Sequence, residues 1–224
     1  MSSTGDQVRS GADIASTRRS YGAWELTEAA LAGTWLEQLQ IWYFEAAGHP
    51  QISEPNAMQV ATVDGAGRPD VRTVLVRGFD QAGVVFYTNY DSAKGGQLTD
   101  HPWAAAVLAW LPLERQVRLR GAVAKVSTQE TAAYFASRPR GAQLAAWASP
   151  QSQVLTGRAE LESKLDEVTA RFGGGEIPPP PNWGGYRIAV SEIEFWQGRE
   201  FRLHDRLRYR LAGQGRWVIE RLAP

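Results

Sequence analysis

The sequence predicts a mostly β chain with packed helices, an α+β fold built around an antiparallel β-barrel. Between residues 57 and 126, apolar residues recur five times with the two-residue period of strands. Most links between these runs are short and rich in turn residues, leaving no room for the crossovers that parallel strands need. Helical periodicity falls mainly before and after this block, so helices pack onto a sheet and do not alternate with its strands.

The elements follow in order. Residues 1–23 are polar and rich in Ser, Gly and Asp, and read as a flexible arm ahead of a single domain over 24–224. Trp35, Leu36, Leu39, Trp42 and Tyr43 lie at helical spacing, predicting one amphipathic helix over roughly 27–47, stopped by Gly48 and Pro50. Strands are expected at 57–63, 71–77, 84–87, 104–110 and 116–126, with turns at 64–67 and 80–83. A short helix should begin near Ser92. Ser127 and Glu130 form a capping-box pattern that opens a helix through Phe135. Further helices are expected over 143–147 and around Leu161, Leu165, Val168 and Phe172, the last ended by three glycines. A stiff proline run at 178–181 leads to strands at 186–190, 193–196, 201–210 and 217–221.

Composition narrows the chemistry. The 224 residues carry no net formal charge, and nine tryptophans fit a folded protein. Three of 24 basic residues are lysine, so neither a nucleic acid nor an anionic membrane surface is an expected partner. With no cysteine there is no disulfide, thiolate nucleophile or cysteine-held metal. Three scattered histidines make no metal site. No run resembles a signal peptide or membrane span, and the cytoplasm is the expected location.

Candidate chemistry is anion binding. Thr88 and Lys94 flank the helix start at Ser92, where free backbone amides favour a phosphate. Tyr134 and Arg138, four apart, share one helical face that suits a second phosphate. Gln151 and Ser152 add an amide and a hydroxyl, and Gln116 could bond the edge of a heteroaromatic ring, although an exposed strand explains it as well. On the strand at 71–77, Arg72 and Val74 share one face and Leu75 and Arg77 the other, and a surface anchor is a competing reading for the arginine. In an extended 201–210, Arg202, His204 and Arg206 would share one face, a row suited to an anionic small molecule or to solvent. Neither a Ser–His–acid set nor paired carboxylates stand out, so the residues point to a site that positions a cofactor.

Seven short runs in one order carry a resemblance to a known family. They are Phe86-Tyr-Thr-Asn, Glu114-Arg-Gln-Val, Ser137-Arg-Pro-Arg, Trp183-Gly-Gly, Glu194-Phe-Trp-Gln-Gly, Arg202-Leu-His-Asp-Arg and Arg221-Leu-Ala-Pro. Together they resemble the pyridoxamine/pyridoxine 5′-phosphate oxidases. The resemblance implies an FMN-binding split β-barrel that acts as a homodimer with FMN at the subunit interface. It implies hydride transfer from C4′ of the substrate to FMN, with O2 reduced to hydrogen peroxide. Carried over by position, Arg72, Val74, Leu75, Arg77, Tyr87, Thr88, Lys94, Gln116, Gln151, Ser152, Trp196 and Arg206 would bind the cofactor. Arg18, Tyr21, Arg77, Tyr134 and Arg138 would bind the substrate, with Arg202 and His204 both binding and catalytic. Arg77, Ala93 and Ala142 depart from the family's usual Lys, Arg and Ser. The alternative is a related split-barrel flavin or deazaflavin oxidoreductase acting on another small aromatic, such as a phenazine precursor.

Overall fold

The structure is a computed structural model that describes residues 20–22 and 24–224. Most of the arm expected over 1–23, including Arg18, lies outside the described residues.

Eight strands form one antiparallel sheet: β1 (Ala57–Val63), β2 (Pro69–Asp80), β3 (Gly83–Asn89), β4 (Trp103–Trp110), β5 (Arg115–Lys125), β6 (Trp183–Gln197), β7 (Asp205–Leu211) and β8 (Trp217–Arg221). The order is β3-β2-β1-β4-β5-β6-β7-β8, and a further β3–β6 pairing closes the first six into a barrel. β6 makes this possible by its length. Its first half pairs with β3, from Trp183 opposite Asn89 to Ile188 opposite Val84. Its second half pairs with β7, from Glu192 opposite Arg210 to Gln197 opposite Asp205. β5 runs along both halves, with a register shift between Arg120 and Gly121.

Among the described residues, five α-helices decorate the barrel: α1 (Trp35–Ala47), α2 (Ala93–Asp100), α3 (Thr128–Ser137), α4 (Arg140–Ala148) and α5 (Arg158–Phe172). α1 begins later than its periodicity suggests. Thr34 and Glu37 form a reciprocal capping box, so the expected 27–47 helix divides into a 3-10 turn at Glu28–Ala30 and α1 proper. α2 is capped by the Ser92 hydroxyl, which accepts from the Gly95 amide at 3.3 Å. A Cβ at Gly95 would stand 1.9 Å from the Tyr90 carbonyl oxygen, so only glycine lets α2 sit this tightly on the β3 turn. Ser127 likewise caps α3, accepting from the Glu130 amide at 3.0 Å.

Two further expectations are corrected. The strands anticipated at 186–190 and 193–196 are one strand, β6, because the bulge opposite Arg120–Gly121 interrupts its alternation without ending it. The strand anticipated over 201–210 starts only at Asp205. Phe201 and Arg202 adopt the left-handed region, with φ of 55° and 63°, and form a 3-10 turn. Arg202, His204 and Arg206 therefore do not alternate along one strand face.

The main core lies inside the barrel and beneath α1. Leu39, Trp42 and Ala46 present one helical face to the strands. Phe195 of β6 has no exposed surface and meets the Trp42 ring edge-on at 5.2 Å and the Tyr209 ring at 5.8 Å. Removing that ring should leave a cavity that neither the helix nor the sheet can close. Phe195→Ala is expected to lose about 3–5 kcal/mol in denaturant unfolding. A loss below about 1 kcal/mol would show that this contact does not hold α1 to the barrel.

Candidate active site

One cavity of about 680 Å³ opens beside β2 and β3, the start of α2, and helices α3 and α4. It is lined by Arg72, Val74, Leu75, Arg77, Tyr87, Thr88, Lys94, Tyr134, Arg138, Gln151 and Ser152, all expected from the sequence. Gln116, Trp196, Arg202, His204 and Arg206 do not line it.

Lys94 marks the first cationic pole. Its buried ammonium donates to Thr88 Oγ1 at 3.1 Å, Ser92 Oγ at 3.3 Å and Gln151 Oε1 at 3.2 Å. All three acceptors are neutral, and no carboxylate pairs with Lys94 among the described residues. Burial, and then the neighbouring Arg72, bring its pKa down from the ordinary 10.5 to about 8. Arg72 stands beside it in β2, donating to Val60 O, Thr62 Oγ1, Gln97 Oε1 and the Asp70 carboxylate. Two adjacent cations at a helix start, facing into a cavity, suit a phosphate dianion.

Arg138 marks the second pole. It follows α3 and lays its guanidinium over the Trp183 ring, 4.7 Å from the centroid. Its Nη1 is buried without a hydrogen-bond partner. Burial lowers its pKa, the Tyr134 hydroxyl opposes that shift, and Arg77 adds to it. An orphaned, buried guanidinium nitrogen is costly unless an acceptor arrives from outside. Tyr134 stacks on Tyr87 at 3.9 Å, and Tyr87 stacks on Trp183 at 5.5 Å. Arg77 reaches over the same Tyr134 ring at 6.0 Å. Burial, then the nearby Glu130 carboxylate, push the Tyr87 phenol up to about 12, so it stays a neutral donor. The aromatic stack lines the same cavity as the two poles.

The remaining expected residues gather near the turn between β6 and β7. His204 packs on Trp196 with ring centroids 4.5 Å apart, and Tyr21 packs edge-on to both rings. His204 Nδ1 accepts from the Arg199 amide at 3.1 Å, leaving Nε2 to carry the proton in the neutral ring. Burial and the Arg202 charge both lower its pKa, favouring that neutral form. Gly198 provides the space: a Cβ there would stand 2.9 Å from the Tyr21 ring. Arg202 is exposed. Arg206 is committed elsewhere, donating to both carboxylate oxygens of Glu194 at 2.7 and 3.1 Å and to Ala223 O at 2.8 Å. Gln116 lies in β5 opposite Trp196, which ties the ring-edge residue expected from sequence to this group.

Sequence reasoning assigned no role to Trp183, Asp70, Thr62 or Gln97. Trp183 carried only a motif signal, and its contact with Arg138 spans 45 positions, beyond any local period. Gln97 lies on α2 and meets Asp70, 27 positions away, at 3.1 Å.

Comparison with known proteins agrees with this geometry. Residues 44–172 match the family described as pyridoxamine 5′-phosphate oxidase. Residues 183–224 match the pyridoxine 5′-phosphate oxidase C-terminal dimerisation region. The pyridoxine/pyridoxamine 5′-phosphate oxidase of Saccharopolyspora erythraea is 56% identical over 214 residues, covering 95% of this chain and 96% of that protein. The protein of the same name from Salinispora arenicola is 50% identical over 228 residues, covering both chains in full. Among solved structures, PhzG from Burkholderia lata, in complex with tetrahydrophenazine-1-carboxylic acid, superposes with a TM-score of 0.84 at 30% identity, covering 92% of this chain and all of that one. With matches of this extent, on a six-stranded barrel whose cavity carries two cationic poles, the chain belongs to the pyridoxine/pyridoxamine 5′-phosphate oxidase family.

Proposed function

We propose that this protein is an FMN-dependent oxidase that converts pyridoxamine 5′-phosphate and pyridoxine 5′-phosphate to pyridoxal 5′-phosphate. The observation that carries the reading is the pair of cationic poles in one cavity that stacked aromatic rings also line. One phosphate belongs to the cofactor and the other to the substrate. The buried Lys94 and the orphaned Arg138 Nη1 fit these two groups, since neither has an anionic partner among the described residues.

Bound FMN would supply the redox chemistry, taking up the hydride lost from C4′ of the substrate and reducing O2 to hydrogen peroxide, with water releasing ammonia where the substrate is the amine. The chain's own residues bind and orient. Lys94 and Arg72, with Thr88, Gln151 and Ser152, would hold the cofactor phosphate. Arg138, Tyr134 and Arg77 would grip the substrate phosphate. Each charge-assisted bond contributes about 1.5–3 kcal/mol. That anchoring restrains the substrate ring where its reacting carbon can meet the flavin.

Gln116, Trp196, Arg202, His204 and Arg206 fall outside the cavity of their own chain. In a homodimer with FMN at the interface, they would complete the cavity of the other copy. The dimerisation region matched over 183–224 supports this reading, because four of the five lie in it. Neutral His204 would offer its Nε2 proton to the substrate, and Arg202 a cation beside the ring. Arg206 would act partly by fixing Glu194 and the C-terminus. Tyr21, with Arg18 of the undescribed arm, would cover the bound substrate.

A second reading, oxidation of a carboxylated tricyclic aromatic, is favoured by the similarity to PhzG. The relatives at 50–56% identity support the vitamin B6 ester instead. Turnover of pyridoxamine 5′-phosphate against a reduced phenazine carboxylate separates the two.

Two outcomes follow. Below a pKa of about 8 Lys94 is charged and attracts phosphate; above it the ammonium loses its proton and the attraction fades. FMN affinity by fluorescence titration should therefore fall by about tenfold or more from pH 7 to pH 9.5, and Lys94→Met should flatten that profile. A flat wild-type profile would remove Lys94 from the phosphate site. Separately, Arg202→Ala should lower turnover by more than about tenfold while flavin content stays constant. Unchanged steady-state kinetics would exclude Arg202 from the site.

A further inference from the structure

We propose that Asp70 is an internal counter-anion that sets the phosphate affinity of the cavity, its carboxylate occupying Arg72 until a cofactor phosphate displaces it. This rests on the FMN reading above. Asp70 and Arg72 lie two residues apart on β2, and both line the cavity.

Both η nitrogens of the Arg72 guanidinium are engaged. Its Nη1 donates to Val60 O at 3.2 Å, Thr62 Oγ1 at 2.5 Å and Asp70 O at 3.3 Å. Its Nη2 donates to the Asp70 carboxylate and to Gln97 Oε1 at 3.1 Å. Four η hydrogens thus meet five acceptors, and neither η nitrogen has a hydrogen spare for an incoming phosphate. A phosphate that takes an η hydrogen displaces one of the five, and the Asp70 carboxylate is open to solvent. The Asp70 side chain is 48% exposed and the Arg72 side chain 19%. Water can take up a released Asp70 carboxylate, whereas Val60, Thr62 and Gln97 keep Arg72 in position. Gln97 Nε2 also donates to Asp70 Oδ2 at 3.1 Å, so the same amide steadies both partners.

The second consequence is electrostatic. A dianion entering beside Lys94 and Arg72 meets the like charge of Asp70 at the cavity wall. Asp70 also acts on Lys94, opposing the effect of Arg72. The carboxylate therefore weakens phosphate binding twice, by repelling the ligand and by occupying its donor. A neutral ligand of the same ring system meets neither cost.

Asp70→Asn tests this cleanly, because the amide oxygen still accepts from Arg72 and Gln97 while the charge is gone. Apoprotein would be titrated with FMN and with riboflavin, which lacks the phosphate, at neutral pH and low salt, following flavin fluorescence. Asp70→Asn should bind FMN roughly three- to thirtyfold more tightly than wild type, with riboflavin affinity unchanged. Asp70→Glu, which keeps the charge, should not tighten FMN. Equal or weaker FMN binding by Asp70→Asn, or equal tightening by Asp70→Glu, would overturn the role of Asp70 alone. Wild type binding riboflavin as tightly as FMN would instead overturn the phosphate assignment, and this inference with it.

Discussion

The structure depends on a positive charge that the fold buries and does not neutralise. Lys94 sits under the start of α2 with three neutral acceptors, and Arg72 stands next to it. Desolvating an ammonium is unfavourable unless something compensates. Here the compensation is partial: Ser92, Thr88 and Gln151 supply dipoles, and Asp70 supplies a carboxylate at the edge of the cavity. A cavity lined in this way favours a dianion. The tight seat of α2 on the β3 turn, which Gly95 permits, keeps the ammonium in place.

The barrel explains why the expected site divides. β6 is long enough to close the barrel with its first half and to carry β7 and β8 on its second. Its first residue, Trp183, faces the cavity, while Trp196 near its end packs on His204. Fifteen extended residues span about 50 Å, so one strand cannot bring both ends to one ligand. In the proposed homodimer, a second copy would bring the far end of its own β6 to the first copy's cavity. The N-terminal segment reinforces the far end. Leu26 donates its amide to Asp205 at 3.0 Å, and Arg221 bridges Glu28 and Asp205 at 2.7 Å each.

Most of the barrel was legible because its strands bury alternate residues, as β5 does from Arg115 to Val123. Legibility failed where the period breaks. The bulge in β6 made one strand look like two, and the left-handed Phe201 and Arg202 made a turn look like a strand start. Neither residue is glycine, so no local residue type marked the turn. At the site, Thr88, Lys94, Tyr134 and Arg138 were legible as local patterns, and the order of motifs supplied the rest. The Trp183–Arg138 contact and the Asp70–Arg72–Gln97 network were not, since long-range packing alone brings those side chains together.

The central claim is that the Lys94–Arg72 pole holds a flavin phosphate and that two copies enclose the ring. A crystal structure of the protein saturated with FMN tests it most directly. The account predicts the phosphate within hydrogen-bonding distance of Lys94 Nζ, with the His204 turn of a second copy closing over the flavin. A phosphate bound elsewhere, or a flavin enclosed by one chain alone, would contradict it.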